Sequence, residues 1–209
     1  MKLYWLPLSP NNYPVGAVAD YLGIPLEKHV VDVPKGENKK PEFLKLNPNG
    51  KCPVLVDGDF SLWESNAILM YLCAKQPGGT DLYPADELAR IDIARWLFWQ
   101  QAHWMRSCTI LLWERLVKNF FGGGAPVPEK EKEGEDAVKF FGAVLNQCLE
   151  GKKYLVGDKL SIADFAVAAP LPLTQAARLP VEGFPNISRW YQQIASLEAW
   201  KKNLPRLGK

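Results

Sequence analysis

The chain has little of what builds metal centres and disulfide frameworks. Among 209 residues there are four cysteines and two histidines. Cys52, Cys73, Cys108 and Cys148 are widely spaced, with no Cys-x-x-Cys pair and no Cys/His cluster. Reduced cysteines and no structural metal are therefore expected. Charge of one sign is also lacking. A formal net charge of +2 makes no case for nucleic-acid or membrane binding. The longest apolar run, Phe165 to Leu173, is far short of a membrane span. Met1-Lys2 leads straight into a strand-like Leu3-Tyr4-Trp5-Leu6, without the pattern of a secretory leader. A cytoplasmic location follows as an expectation. Neither repeats nor low-complexity segments occur.

Tryptophan is what the chain has in excess. There are eight, and Trp63, Trp96, Trp99, Trp104 and Trp113 fall in the middle of the sequence. So much aromatic surface suggests an apolar pocket or subunit contact as well as core. Hydrophobic content of 47% and a charged fraction of 23% suit a globular chain with a sizeable core.

The first third alternates strand and helix signals. Leu3 to Leu6 reads as a strand. Val15, Val18, Ala19 and Leu22 form a helical stripe closed by Gly23, and His29 to Val33 alternates as a second strand. A helix between two strands implies parallel pairing. A short helix is expected from Pro41 to Lys45. Then comes Asn47–Ser65, NPNGKCPVLVDGDFSLWES. It holds a tight turn, a hairpin about Asp57-Gly58 and a helix start at Glu64-Ser65. A strand running into a helix N-terminus leaves backbone N–H groups free for a carboxylate or phosphate. The outline is β-α-β-α-β-β-α, a mixed sheet with helices against it.

A Pro/Gly linker, residues 77–86, separates this domain (1–76) from an all-helical one (87–209). Residues 88, 91, 98, 102, 105, 112 and 116 define one apolar face of a long helix. Trp96, Trp99, His103, Ile110 and Trp113 define a second, so the helix is buried on both sides or lines a site. Gly122-Gly123-Gly124 breaks it, and a further helix runs from about Glu129 to Leu149. Ser161 and Asp164 form a capping arrangement with a folding role. Asn186 is expected to cap the helix that bears Ile187, Trp190, Tyr191 and Ile194.

Several of these features occur together and in order. They are Ser-Pro-Asn after the first strand, Asn-Pro-x-Gly-Lys-x-Pro-Val-Leu, Glu-Ser at a helix start, and Gly-Asp-x-Leu-Ser-x-Ala-Asp in the helical half. This pattern resembles the cytosolic glutathione S-transferases over essentially the whole chain. The resemblance implies a thioredoxin-like N-terminal domain, an all-α C-terminal bundle, glutathione as co-substrate and a homodimer. A serine at position 9, where other members carry tyrosine, places the chain nearer the serine-using classes, theta- or phi-like, or bacterial relatives.

The chemistry asks for a thiol to be ionised. An unperturbed thiol has a pKa of about 8.5, and lowering it by two units takes about 2.7 kcal/mol of preferential thiolate stabilisation. A hydroxyl donor at a helix N-terminus supplies this kind of stabilisation. On local sequence alone Ser9 is a turn or N-cap serine before Pro10. The resemblance makes it the thiol's hydrogen-bond donor, with Asn11 as the alternative. Pro53 resembles the family's cis-proline, and Cys52 before it stands where valine or isoleucine is usual. Glu64 and Ser65 resemble the pair that holds the γ-glutamyl end. Asn38, Lys39 and Lys51 resemble positions facing the glycine carboxylate. For a small apolar electrophile, His103, Trp104, Arg106 and Trp113 on the long helix are the candidates. Three functions compete: conjugation of glutathione to such electrophiles, glutathione-dependent disulfide or peroxide reduction, and a non-catalytic binding module on the same scaffold.

Overall fold

The computed structural model describes residues 1–204. The last five positions of the 87–209 span lie outside the described residues. Contacts divide the chain into two units. The first joins Met1–Tyr83 to the segment from Ser196 onward, and the second is Pro84–Ala195.

The first unit is built on a four-stranded mixed sheet of order β2-β1-β3-β4. Its strands are β1 (Lys2–Trp5), β2 (Glu27–Val30), β3 (Val54–Asp57) and β4 (Phe60–Trp63). β1 and β2 pair in parallel, whereas β3 runs antiparallel to both β1 and β4. β2 begins and ends earlier than the expected His29–Val33. Its ladder is limited by the four residues of β1, and Val31 turns instead into the core.

Alternation along the strands divides the apolar residues between two faces. Leu3 and Leu55 are paired and fully buried. α1 (Tyr13–Tyr21) and α3 (Ser65–Ala74), which pack on each other, bury Val15, Val18, Ile68, Leu69 and Leu72. Val54 and Tyr4, paired one step along, pack with Val31, Val33, Leu46 and Cys52 around Phe43 of α2 (Pro41–Leu46). Every residue of α1 from Tyr13 to Ala19 is buried. A single stripe was expected. The other side is covered because α11 (Glu198–Lys201), carrying the fully buried Trp200, packs on α1.

The second unit is helical. α4 (Glu87–Trp99) opens on the Asp86 side chain, which accepts from the Ala89 N–H at 2.8 Å. A π turn (Gln100–Trp104), α5 (Met105–Leu112), a second π turn (Trp113–Val117) and α6 (Lys118–Phe120) follow without a break. Each π turn holds one residue more than an α turn and shifts the helix phase. The two apolar stripes expected of this helix are redistributed accordingly. Met105 and Leu112 are buried, whereas Leu88, Ile91 and Phe98 are 76%, 59% and 75% exposed.

α7 (Pro128–Cys148) packs against α5. Arg115 joins several elements, donating to Glu131 at 2.6 Å and to the carbonyls of Ala177 and Arg178 at 3.2 and 2.8 Å. The capping box at α8 (Ile162–Ala168) forms as expected. Asp164 is fully buried and accepts from Leu155 N, Ser161 N, Ser161 Oγ and Trp190 Nε1 at 2.8 to 3.0 Å. Burial pushes its pKa up against those four donors. The short α9 (Thr174–Ala177) precedes α10 (Pro185–Ser196). Asn186 lies inside α10 and does not cap it. It donates from N and Nδ2 to Asn146 of α7, at 2.9 and 3.1 Å.

Candidate glutathione site

Strand register decides where the first unit's loops emerge. Trp5 ends β1 opposite Val30, the last residue of β2. Val54 opens β3 opposite Tyr4 and Trp63, so β4 ends where β3 begins. The loop after β1, the segment after β2, the approach to β3 and the exit from β4 therefore share one end of the sheet. Ser9 and Asn11, Asn38 and Lys39, Lys51 to Pro53, and Glu64-Ser65 lie on those four segments.

The loop between β1 and α1 is closed by its own groups. Ser9 N donates to the Leu6 carbonyl and Asn12 N to the Ser9 carbonyl, each at 3.0 Å. Asn12 Oδ1 accepts from Leu6 N at 3.2 Å. Asn12 is fully buried, a role with no signal in the sequence beyond its position in a turn. Ser9 is half-buried, four residues before α1 begins. The Oδ1 of Asn11 is buried with no partner among the described residues. An orphaned acceptor beside Ser9 fits a site that a ligand completes.

On the second segment a short 3₁₀ turn (Glu37–Lys39) carries the two predicted residues. Asn38 Nδ2 donates to the Gly50 carbonyl at 2.8 Å, while its Oδ1 is buried and has no partner among the described residues. Lys39 and Lys51 are exposed. Glu37 Oε2 accepts from Asp32 N at 2.7 Å and Oε1 meets His29 Nε2 at 2.6 Å. These hydrogen bonds hold its pKa below the ordinary carboxylate range.

The third segment is fastened by Asn47, which is 3% exposed. Its Oδ1 accepts from Asn49 N at 3.0 Å and its Nδ2 donates to the Lys51 carbonyl at 2.7 Å. Gly50 stands at φ 61°, and a Cβ there would meet the Asn38 carbonyl oxygen at 3.0 Å. Both conformation and space call for glycine. The Cys52–Pro53 peptide bond is cis. Cys52 is half-buried beside the Phe43 cluster. Desolvation, with the Glu37 carboxylate second, pushes its thiol up to about 12. It packs there as a small apolar residue.

At the fourth segment Glu64 adopts φ 71° and ψ 114°. This left-handed backbone costs of order 1–3 kcal/mol for a residue with a side chain. Nothing in the local sequence announces it. Glu64 is exposed, and Ser65 is 5% exposed at the first position of α3. The hairpin feeding α3 is tied down by Asp57, which accepts from Tyr71 Oη at 2.8 Å and meets Lys75 Nζ at 2.7 Å.

The four electrophile candidates lie in the second unit and separate into two groups. Trp104 is fully buried, donates from Nε1 to the Val167 carbonyl at 3.0 Å and stacks at 6.3 Å on Trp99. It is a core residue, which corrects its expected role in substrate binding. His103, Arg106 and Trp113 are exposed. His103 stacks on Phe141 at 4.9 Å and Trp113 on Phe121 at 6.2 Å.

A thioredoxin-like sheet whose loops gather at one end, with an all-helical unit following, is the architecture of the glutathione-using transferases. Two family descriptions match the chain: "Glutathione S-transferase, N-terminal domain" over residues 1–74 and "Glutathione S-transferase, C-terminal domain" over residues 105–198. Glutathione S-transferase 3 of Zea mays is 37% identical over 210 residues, covering 98% of this chain and 93% of that protein. Glutathione transferase F2 from Populus trichocarpa superposes with a TM-score of 0.88 at 28% identity, covering 97% of this chain and 96% of that one. A delta-class glutathione transferase of Nilaparvata lugens gives a TM-score of 0.81 at 30% identity, over 97% and 92% of the two chains. The chain belongs to the glutathione S-transferase family, and its enzymatic class is glutathione transferase.

Proposed function

We propose that this enzyme binds glutathione at the gathered loop end of the sheet and stabilises its thiolate for addition to small apolar electrophiles. The observation that carries the reading is the register, which brings four separate segments, each bearing candidate residues, to one end of the sheet. The N-terminus of α3 with Ser65 would take the γ-glutamyl carboxylate through the positive end of the helix dipole and the hydroxyl, with Glu64 beside the ammonium. Asn38, Lys39 and Lys51 would meet the glycine carboxylate. The backbone of Cys52 and Pro53 would accompany the central cysteine as an added strand does. Ser9 would donate to the sulfur, favouring loss of the thiol proton to water, with Asn11 adjacent. His103, Arg106 and Trp113 would offer the electrophile an aromatic and cationic surface.

We further propose a homodimer formed through the exposed apolar stripe Leu88, Ile91 and Phe98 of α4. Surface this apolar on one helix face marks an interaction site. A cytoplasmic location is proposed on the four free cysteines, and a role in detoxification on the electrophile chemistry. No helix among the described residues is long and apolar enough to cross a membrane.

The test compares conjugation of a chloronitrobenzene with reduction of a small disulfide, glutathione being supplied in both. Conjugation well above reduction is the expected outcome, because the one cysteine on the four segments, Cys52, is packed against the Phe43 cluster, where burial pushes its thiol pKa up. Reduction without conjugation would overturn the reading. Absence of both activities, with no retention on immobilised glutathione, would make the protein a binding module.

A further inference from the structure

The segment after α10 returns to α1, and Asn203 is the centre of that contact. Its side chain is 1% exposed. Nδ2 donates to Asp20 Oδ2 at 2.6 Å and to the Ala199 carbonyl at 2.7 Å. Oδ1 accepts from Lys28 Nζ at 2.6 Å. Gly16 lies against this amide, and a Cβ there would stand 2.1 Å from Asn203 Oδ1. Only glycine admits the carboxamide so close to α1.

Two routes lead from this amide to the loop that bears Ser9. Along the first, Gly16 N donates to the Asn12 carbonyl at 3.3 Å, and Asn12 N donates to the Ser9 carbonyl at 3.0 Å. Asn12 Oδ1 also holds Leu6 N at 3.2 Å. Along the second, the Lys28 ammonium that donates to Asn203 sits 4.9 Å over the Trp5 ring. Trp5 is the last residue of β1 before the loop begins. Both ends of the loop are thus fastened through one buried amide. Among the described residues, the charged groups that hydrogen-bond to it are Lys28 from β2 and Asp20 from α1, and a carboxamide satisfies one as acceptor and the other as donor.

We propose that Asn203 is a positioning residue for the loop that stabilises the thiolate, acting through Gly16 and Lys28. The inference rests on the reading that this loop carries the thiol's donor. A hydrogen bond to sulfur depends on distance and angle, so a small loop displacement weakens it without removing any group that touches glutathione.

The test reads the pKa of the glutathione thiol bound to the enzyme, from thiolate absorbance against pH, together with kcat and KM. The variants are Ser9→Ala, Asn203→Ala, Gly16→Ala, the double Gly16→Ala/Asn203→Ala, and Lys28→Met. Asn203→Ala is expected to raise the thiol pKa and lower kcat roughly tenfold, the scale of a modest misplacement, with KM for glutathione little changed. Gly16→Ala should be more damaging, and the double variant less damaging than Gly16→Ala alone, because the smaller partner relieves the clash. Lys28→Met, at an exposed position, shifts the pKa in the same direction and serves if Asn203→Ala fails to fold. If Asn203→Ala and Lys28→Met lower only the melting temperature, while Ser9→Ala raises the thiol pKa, the proposal falls and Ser9 stands. If Ser9→Ala leaves the pKa unchanged and Asn203→Ala raises it, the positioning role stands and another loop group is the donor. Unchanged values in all variants overturn both.

Discussion

An ordinary thiol is only a few per cent ionised at neutral pH, so one well-aimed donor has a large effect. Ser9→Ala is expected to raise the pH at which conjugation reaches half its plateau and to cut the rate roughly 10²-fold. A pH–rate profile with a chloronitrobenzene checks this, and an unshifted profile would move the role to Asn11 or to backbone donors. Ser65→Ala removes a hydroxyl proposed to meet a carboxylate. Glutathione should then bind roughly tenfold more weakly, on the scale of a hydrogen bond to a charged group, as titration calorimetry would show. Wild-type affinity would mean that the γ-glutamyl end lies elsewhere. The segments that carry the candidate residues were legible in the chain, because turn, cap and proline motifs recur in order. Burial was not. Trp104 and Trp113 are both tryptophans of the long helix, yet one donates to the Val167 carbonyl in the core and the other is 44% exposed. The positive φ of Glu64 is set by the junction of β4 and α3, not by glutamate.

Elements whose signal is local were read correctly from sequence. The hairpin turns at Gly58, which adopts φ 60°, and the Ser161–Asp164 capping box forms with all its donors. The long helix was misread because a π turn inserts a residue without any compositional mark. After each insertion a 3.6-residue period no longer follows the buried side. Two predictions belong at this scale. Asp164→Ala leaves four donors without their acceptor, including two buried backbone N–H groups, and should cost on the order of 3 kcal/mol. Urea denaturation measures it. Asp57 is held below the usual carboxylate range, first by Lys75 and then by Tyr71. Its folded pKa lies below the unfolded one, so the stability it contributes is present at neutral pH and lost as pH falls through the folded value. Asp57→Asn should therefore flatten the acid limb of a stability–pH curve, and an unchanged limb would assign acid sensitivity to other carboxylates.

At the scale of the molecule, the α4 stripe is the feature with the most direct test. A carboxylate within an apolar contact between copies lacks a partner and is costly. Phe98→Glu is expected to convert a dimer to a monomer in sedimentation while leaving the folded helix content intact, since Phe98 is 75% exposed in the chain itself. A dimer that survives the substitution would place the contact on another face.

The docking of Asn203 on α1 also bears on how the enzyme is made and dissected. Asn203 meets Asp20 across 183 positions of sequence. During synthesis from the N-terminus, the sheet and α1 emerge long before the residue that fastens them. The first unit stays unfinished while the whole helical unit is produced, and the nascent chain passes through a stage with α1 uncovered on one side. For the same reason a fragment cut at residue 83 is not the natural unit. It would leave Gly16 facing water instead of a carboxamide, and a faithful excision has to splice the segment from Ser196 back on.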